Sequence, residues 1–453
     1  MDDASQQGLF GALFSRGAAD TSDEAWLAAM LTTEAALARA AERAGLAPPG
    51  AGAAVTAAAT VDFFDANKIG RAAVTIGNPV SALVKDLTAL VPPEYASAIH
   101  LAATSQDIID TAAMLLAKRA ITTIQADLAE AASASEALTR THARTVMAGR
   151  TLLQQAVPIT FGLMTASWLT AIDEARRQLH QAQDGLAIQY GGAAGTLAPL
   201  GDQGPAVAEL LAEELGLATP ILPWHTDRSR ILHLAAALAT TCATLGKIAR
   251  DITLLAQSEV AEVHEGSPAG HGGSSTMPQK RNPVVAIIIL GNTKQAPALL
   301  CSVAAAAEQE LQRAAGAWHA EWQPLSHLLQ ITGSAAAWSA ELLAGLVVDP
   351  ARMRANLDAS GGLLMAEHVT TLLTPAMERL QAHELVAAAS ARAVDSGMDL
   401  ADALCSDEQS AAKLAAAQFN RDQLEAALLP ESYLGATPVF IQRALAAHEA
   451  LDL

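Results

Sequence analysis

Cysteine is scarce in this chain, with 3 residues in 453. Cys242, Cys301 and Cys405 lie far apart and lack the close spacing of metal-ligand pairs, so we expect neither a disulfide framework nor a thiolate metal site. The first residues contain no basic and apolar signal segment. No apolar run approaches the roughly 20 residues that span a bilayer. These absences lead us to expect a cytoplasmic protein that makes no membrane contact.

Aromatic and basic residues are also few. Aromatic residues make up 4% of the chain, and 28 Lys and Arg stand against 47 Asp and Glu. The net charge of −19 repels a phosphate backbone, so we expect no nucleic-acid partner, although a local basic pocket can still bind an anionic metabolite. Alanine and leucine are abundant instead, and both favour helices.

Long stretches without helix breakers predict an all-α fold. The first strong helix is predicted from about Asp23 to Ala44, because acids fill its first turn and Gly45 follows its end. Shorter helices are predicted after Pro350. The long predicted helices of the middle region cover about 111–146, 158–184, 229–262, 283–313 and 317–346.

These predictions divide the chain into three parts. We expect an N-terminal helical domain at 1–110, an elongated central bundle of long helices at 111–350 and a C-terminal helical domain at 351–453. The central helices are apolar on more than one narrow stripe, as in the run 231–238. A single-chain bundle needs a polar outer face, so we predict burial against other copies of the chain. A thick single-chain bundle is the alternative.

The most informative segment, 266–283, combines a glycine-rich loop with adjacent serines and two cations. Ser274 and Ser275 precede Lys280 and Arg281, and the following Asn-Pro pair predicts the cap and first position of a helix. A helix N-terminus attracts anions through its free N–H groups and its dipole. The segment therefore predicts a loop that brings a serine to an anionic ligand. The alternative is a set of ordinary polar residues in a flexible loop.

A serine needs activation before it can act as a base or a nucleophile. Lys280 and nearby backbone N–H groups could stabilise the alkoxide of Ser274. A serine-hydrolase site is less well supported, because no G-x-S-x-G turn surrounds Ser274. A Walker-type phosphate loop is also missing.

A second cluster lies between His100 and Thr111, just before the first long central helix. Thr104, Ser105 and Gln106 offer short hydrogen-bond donors at a loop–helix junction, which suits carboxylate binding. His100 is the group in this segment that is suited to proton transfer near neutral pH. The alternative is a histidine that only hydrogen-bonds a loop. In the same segment, Asp107 is expected to cap the helix, and the acid and threonine at 110 and 111 are expected to be structural.

Two further clusters contain candidate anion ligands. In the segment 149–158, which is predicted to join two long helices, Arg150, Thr151 and Gln154 could face an anion. In the segment 223–230 the candidates are a histidine and two arginines, His225, Arg228 and Arg230. The alternative for this second group is a solvated helix start with a salt bridge to Asp227.

Taken together, these segments resemble the fumarase/aspartase superfamily. The pattern Gly-Ser-Ser-x-Met-Pro-x-Lys-x-Asn-Pro is matched from Gly273 to Pro283. Thr-Ser-x-Asp-x-x-x-Thr is matched at 104–111, and Gly-Arg-Thr-x-x-Gln-x-Ala-x-Pro at 149–158. Because the motifs occur in the expected order and spacing, the resemblance covers essentially the whole chain.

The resemblance implies a homotetramer of helical subunits whose active sites are each shared by three subunits. It implies addition or elimination next to a carboxylate through an aci-carboxylate intermediate, without a metal or organic cofactor. Ser274 matches the catalytic serine, and Lys280 and Asn282 match residues that hold the intermediate or a substrate carboxylate. The remaining expected substrate contacts are Thr104, Ser105, Gln106, Arg150, Thr151, Gln154, Ser275 and Met277.

Within the superfamily, the chain most resembles the branch that lactonises 3-carboxy-cis,cis-muconate. Many elimination lyases of the superfamily carry histidine after Gly-Arg-Thr, where this chain has Leu152. Leucine cannot transfer a proton. A carboxylate that adds to the double bond or leaves again is a weak base, so it has little need of a proton donor. We therefore expect a cycloisomerase of a polycarboxylate, with Ser274, Lys280 and His100 as catalytic residues. An adenylosuccinate-type lyase and a non-catalytic helical protein are the alternatives.

Overall fold

The structure, a computed structural model, describes residues 9–18, 20–266, 277 and 280–451. These residues are mostly helical, as the composition predicts. The N-terminal part contains α1 (Gly11–Phe14), α2 (Asp23–Arg43), α3 (Ala51–Ala58), α4 (Ala66–Ala73) and α5 (Val80–Leu90). The long helices of the middle part are α6 (Ser105–Thr141), α7 (Phe161–Asp184), α9 (Ser229–Leu255) and α12 (Ala317–Ala344), and its shorter ones are α8 (Gly204–Leu215), α10 (Val284–Thr293) and α11 (Ala296–Ala306).

The C-terminal part consists of short helices. They are α13 (Pro350–Asp358), α14 (Ala366–Leu373), α15 (Arg379–Ser396), α16 (Leu400–Ser406), α17 (Glu408–Ala416), α18 (Arg421–Ala427) and α19 (Thr437–Glu449). One buried apolar core extends from the N-terminal helices through the long helices to Met353. A second, smaller core lies within the C-terminal helices, between Val369 and Ala427. The domain division at 110 and 350 stays a prediction.

The long helices begin and end close to the predicted positions, with three differences. The first central helix begins at Ser105, because Asp107 caps it, and ends at Thr141, before the predicted 146. α9 ends at Leu255. The predicted helix 283–313 is two helices, α10 and α11, which meet near Lys294.

A β-hairpin replaces the simple junction that the sequence suggests at 149–158. Strand β1 (Val146–Thr151) pairs antiparallel with β2 (Gln154–Thr160). The two central turn residues, Leu152 and Leu153, both have positive φ, at 50° and 66°, as in a type I′ turn. Leucine adopts this conformation only at a cost, because its Cβ approaches the backbone carbonyl. A second small sheet pairs β3 (Val263–Glu265) with β4 (Leu346–Val348).

Two stretches are long and apolar enough to cross a bilayer, so the expectation that none approaches this length is wrong. They are Ser229–Leu255 and Val284–Ala306, with mean hydropathies of 1.4 and 1.5. The first is α9, which packs against α7, α10, α11 and α12 inside the bundle. The second comprises α10 and α11, and only 33% of its most apolar window is buried within one chain.

The exposed side of α10 and α11 is a continuous, weakly polar face. Its members recur every three or four residues, which places them on one side of the helices. Lys294 is the charged member of this set. The other exposed members are Val284, Ile287, Gly291, Pro297, Ala298, Cys301, Ser302, Ala304 and Ala305. We call these residues the α10–α11 face.

Candidate active site

The N-terminal end of α6 holds the second sequence cluster in a rigid frame. The Asp107 carboxylate accepts the backbone N–H of Thr104 at 2.9 Å, which confirms its predicted capping role. It also accepts the N–H groups of Gly191 at 3.1 Å and Gly192 at 2.9 Å. Its Oδ1 lies 2.7 Å from His225 Nε2. One buried carboxylate thus fixes the helix start, a neighbouring loop and a histidine.

His100 lies beside this frame and is bonded to Glu34 of α2. Its Nδ1 is 2.7 Å from Glu34 Oε1, and its backbone N–H donates to Glu34 Oε2 at 2.9 Å. Glu34 is fully buried, whereas 22% of the His100 side chain is exposed. Burial opposes the charged imidazole, but the hydrogen bond and charge of Glu34, with the charge of Asp107, outweigh burial and raise the pKa of His100.

Gln106, one of the predicted substrate ligands, is directed into the protein. It is 1% exposed, and its side-chain N–H groups donate to Asp110 Oδ2 at 3.0 Å and to the His225 carbonyl at 2.8 Å. Thr104 and Ser105 are only half-buried at the same helix end. Of the three predicted donors, these two are therefore the ones that are partly exposed.

The fourth sequence cluster is structural, but it is not the solvated helix start with a salt bridge to Asp227 that was its alternative, because among the described residues Arg228 is buried and pairs with other acids. The Arg228 guanidinium is 1% exposed and forms a bidentate pair with Asp110, at 2.8 and 3.0 Å. It also donates to Glu321 Oε2 at 2.9 Å. Arg230 donates to the carbonyl of Gly185. Asp110 and Arg228 thus hold α6, α9 and α12 together, which agrees with the structural role expected at 110.

Arg313 is a candidate anion ligand that the sequence reasoning missed. Its Nη1 donates to Thr104 Oγ1 at 3.0 Å, although the two residues are 209 positions apart. Within the described part of the chain it forms no ion pair with a carboxylate, and its guanidinium lies 6.0 Å from the ring centre of Trp318. No local motif marks this arginine, so only the fold could reveal that it meets the predicted carboxylate-binding threonine.

The β1–β2 hairpin carries the third cluster. Arg150 forms a two-point ion pair with the fully buried Glu262, at 2.6 and 2.9 Å, so its charge is already neutralised. Asn356 donates to the same carboxylate at 2.8 Å. Thr151 and Gln154 are exposed at the hairpin tip, on either side of two exposed leucines. The tip is therefore the part of this cluster that is available to a ligand or to another chain.

The serine loop is described only in part. Ser274 and Ser275 lie outside the described residues. Met277 and Lys280 are exposed, and the Lys280 N–H donates to the Met277 carbonyl at 3.0 Å. Asn282 is half-buried, just before α10.

The start of α10 differs from the sequence prediction. Pro283, and not Asn282, is the capping residue, and the helix begins at Val284. The Glu265 carboxylate accepts the N–H groups of Val285 at 3.2 Å and Ala286 at 2.9 Å. The protein's own carboxylate thus occupies the helix terminus that was expected to attract a substrate anion.

The candidate residues lie at two ends of a long bundle. α6 has 37 residues and therefore spans about 55 Å. His100 and Thr104 lie at its start, which we call the first end of the bundle, whereas the hairpin with Arg150 follows its end, which we call the hairpin end. α9 gives an independent measure of the distance between the two ends. Arg228, just before α9, pairs with Asp110 near the start of α6. Glu262, beyond the end of α9, pairs with Arg150 of the hairpin. The 27 residues of α9 separate these ion pairs by about 40 Å.

The start of α10 belongs to the hairpin end, because Glu262, which pairs with Arg150, and Glu265, which caps α10, are three residues apart. One chain therefore does not bring the second cluster, at His100 and Thr104, together with the hairpin tip and the start of α10. Among the described residues, no group of three or more His, Cys, Asp or Glu side chains could hold a metal ion.

Two family models match the chain. A model described as lyase matches residues 15–297, and a model described as adenylosuccinate lyase C-terminus matches residues 362–444. Nitrosuccinate lyase of Streptomyces davaonensis is 45% identical over 438 residues, which cover 94% of this chain and 91% of that protein. The 3-carboxy-cis,cis-muconate cycloisomerase of Bradyrhizobium diazoefficiens is 45% identical over 427 residues, which cover 93% and 94%.

A solved structure is similar over almost the whole fold. It is the 3-carboxy-cis,cis-muconate lactonizing enzyme of Pseudomonas putida, with a TM-score of 0.90 and 39% identity over 98% of this chain and 99% of that chain. These similarities confirm the all-α fold and the resemblance that the three sequence motifs indicated. The chain belongs to the lyase family of the fumarase/aspartase superfamily, which includes the 3-carboxy-cis,cis-muconate cycloisomerases.

Proposed function

We propose that this enzyme cyclises 3-carboxy-cis,cis-muconate to 4-carboxymuconolactone, a step in the breakdown of protocatechuate. The observation that carries the proposal is the likeness to a cycloisomerase and to a lactonizing enzyme over more than nine-tenths of the chain. Leu152 supports it, because a carboxylate adds to a double bond and leaves again without help from an acid.

Lactonisation consumes one proton. A carboxylate oxygen of the substrate forms a C–O bond, and the electron pair of the double bond moves to the carbon next to another carboxylate. That carbon then takes a proton. We assign the base of the reverse reaction to Ser274 and stabilisation of the aci-carboxylate intermediate to Lys280 and Asn282.

The other substrate contacts are assigned to the two ends of the bundle. Thr104, Ser105 and Arg313 offer donors to a carboxylate at the first end, and Thr151 and Gln154 offer donors at the hairpin tip. Ser275 and Met277 are proposed to contact the substrate from the serine loop. Gln106 and Arg150 are proposed to act indirectly, because their polar groups bind Asp110 and Glu262.

Elimination of nitrite from nitrosuccinate is the second candidate. The 45% identity to a nitrosuccinate lyase favours it as strongly as the first candidate. Leu152 does not distinguish lactonisation from nitrite elimination, because nitrite is also a weak base that leaves without protonation. Release of an amine, as by an adenylosuccinate lyase, is less well supported, because this chain has Leu152 where many elimination lyases have the proton-donating histidine.

A substrate panel separates the candidates. Purified enzyme is assayed with 3-carboxy-cis,cis-muconate, nitrosuccinate and adenylosuccinate, and muconate absorbance, nitrite and fumarate are followed. The proposal predicts loss of muconate absorbance with formation of lactone, at a kcat/KM at least a hundredfold above the other two. Faster release of nitrite and fumarate from nitrosuccinate would replace the proposal with the second candidate.

We propose that four copies assemble and that each site is shared between chains. The separation of the two ends supports sharing, because each end holds residues of one predicted site. The α10–α11 face supports assembly, since a long face with so few polar residues is normally covered. A solution mass of four times the 46.7 kDa chain is expected from light scattering, and a monomer of full activity would refute the assembly. Because all three cysteines are free, we propose a reducing, cytoplasmic location.

Replacing Arg313 with glutamine is expected to raise KM for the tricarboxylate. A charged hydrogen bond is worth about 1.5–3 kcal/mol, which corresponds to about a tenfold to hundredfold increase. Arg443→Gln, an exposed change in α19, is the matched control and should leave KM unchanged. Steady-state kinetics that show equal KM values for Arg313→Gln and the unchanged enzyme would remove Arg313 from the site.

A further inference from the structure

Glu34 is a buried acid without a role in the sequence motifs that point to catalysis. It lies in the middle of α2 and is 0% exposed. Both of its carboxylate oxygens are directed at one residue, since Oε2 accepts the His100 backbone N–H and Oε1 pairs with the imidazole Nδ1. A buried carboxylate is costly unless it is paired, so this pairing accounts for a charge in the apolar core.

The backbone of His100 also depends on Glu34. His100 has φ of 54°, in the left-handed region that costs a non-glycine residue about 1–2 kcal/mol. The bond from its N–H to Glu34 Oε2 holds this conformation in place. Side chain and backbone are therefore fixed by the same carboxylate.

This arrangement sets which nitrogen faces the ligand. An ionised carboxylate only accepts hydrogen bonds, so Nδ1 must carry the proton that it shares with Glu34. Nε2 is then the nitrogen left for a ligand, and among the described residues it makes no hydrogen bond. The partly exposed His100 ring lies four positions before Thr104, at the end of the bundle where a substrate carboxylate is expected.

We propose that Glu34 is a positioning residue that keeps His100 in the imidazolium form, and that His100 supplies the proton consumed in lactonisation. The proposal rests on the proposed function. Ser274, assigned above, gives a proton to the carbon that carries the negative charge, and His100 Nε2–H replaces the proton that the serine has given away. The neutral imidazole then takes a proton from solvent, so atoms and charge balance over one turnover.

The surrounding charges agree with this role. Asp107 adds a second negative charge near His100 and raises its pKa further. Burial raises the pKa of Tyr190, so its hydroxyl stays neutral while it donates to the Leu101 carbonyl at 2.8 Å. His225 is bound to Asp107, and Arg313 is bound to Thr104. Two acids thus favour the cationic imidazole.

The test is the pH dependence of kcat/KM for 3-carboxy-cis,cis-muconate. Activity of the unchanged enzyme should fall on the alkaline side as His100 loses its proton. In Glu34→Gln the alkaline fall should move to lower pH by about 1–3 pH units, because the partner charge is gone. Activity at the acid end of the profile should approach that of the unchanged enzyme.

A purely structural role gives a different result. If Glu34→Gln lowers activity equally at every pH, the alkaline fall stays in place and the proposal is overturned. The proton of His100 is also measured directly, by NMR titration of histidines labelled at Cε1, with His100→Gln used to assign the signal. Should Glu34→Gln fail to fold, Glu34→Asp keeps the charge at a greater distance and should move the titration by a smaller amount in the same direction.

Failure of the proposed function is recognised separately. An enzyme that never turns over carboxymuconate refutes the proposed function, and the NMR titration still decides whether Glu34 controls His100. An enzyme that lactonises carboxymuconate while His100 titrates identically in Glu34→Gln refutes only the role of Glu34.

Discussion

Replacing Ser274 with alanine should lower kcat by about 10²–10⁴-fold, the usual contribution of a positioned acid or base. The hydroxyl is the expected proton-transfer group at the carbon next to the carboxylate, and alanine removes it with little change in volume. KM should change little, because Lys280, Asn282 and the donors at the first end still bind the carboxylates. Single-turnover kinetics with 3-carboxy-cis,cis-muconate would measure the loss in the chemical step.

The matched control is Ser267→Ala, the same chemical change in the same loop. It should retain full activity and the same solution mass. If Ser274→Ala turns over as fast as the control, Ser274 is not the base, and proton transfer has to be assigned to another group.

Replacing Arg228 with leucine should destabilise the protein by about 3–5 kcal/mol, the usual result of removing one partner from a buried ion pair. Asp110 and Glu321 would keep their buried positions without their shared cation. Burial already raises the pKa of Glu321, against the pull of Arg228, so without the arginine Glu321 should bind a proton more readily. The raised pKa of Glu321 favours the folded variant at low pH, and this stability is lost as the pH rises.

The loss in free energy of unfolding caused by Arg228→Leu should therefore grow between about pH 5 and pH 8. Denaturant unfolding at several pH values would measure it. Arg230→Leu is the control, because Arg230 is half-buried and binds a single carbonyl. Adding Asp110→Asn and Glu321→Gln to Arg228→Leu should recover part of the lost stability. Equal stability of Arg228→Leu and the control would contradict a buried network that joins three helices.

The long helices and the capping role of Asp107 could be predicted from the sequence, because both depend on local signals. An uninterrupted run of helix formers predicts α6, and an acid three residues after Thr104 predicts its cap. The β1–β2 hairpin was missed, because Leu152 and Leu153 are poor residues for a turn with positive φ. The turn depends on strand pairing and on the Arg150–Glu262 pair, which no local pattern contains.

The candidate site was predicted only in part for the same reason. The motifs identify Thr104, Lys280 and their neighbours, but contacts between distant segments decide what each side chain can do. Glu265 fills the helix terminus of α10 from a strand about 20 positions earlier. Arg313 and Glu34 reach the first end of the bundle from other helices and loops, and no local pattern shows that either one contacts the second cluster.

The central claim is that one active site combines the serine loop of one chain with the first end of another. Ser274→Ala chains are mixed with His100→Gln/Thr104→Val chains, dissociated and reassembled in equal amounts, and lactonisation is measured. Two inactive parents should give about a quarter of the activity of the unchanged enzyme, because random assembly pairs two intact halves at that fraction of sites. A mixture of Ser274→Ala and Lys280→Ala, both in the same loop, should stay inactive. No recovery in the first mixture, although mixed oligomers form, would contradict the account.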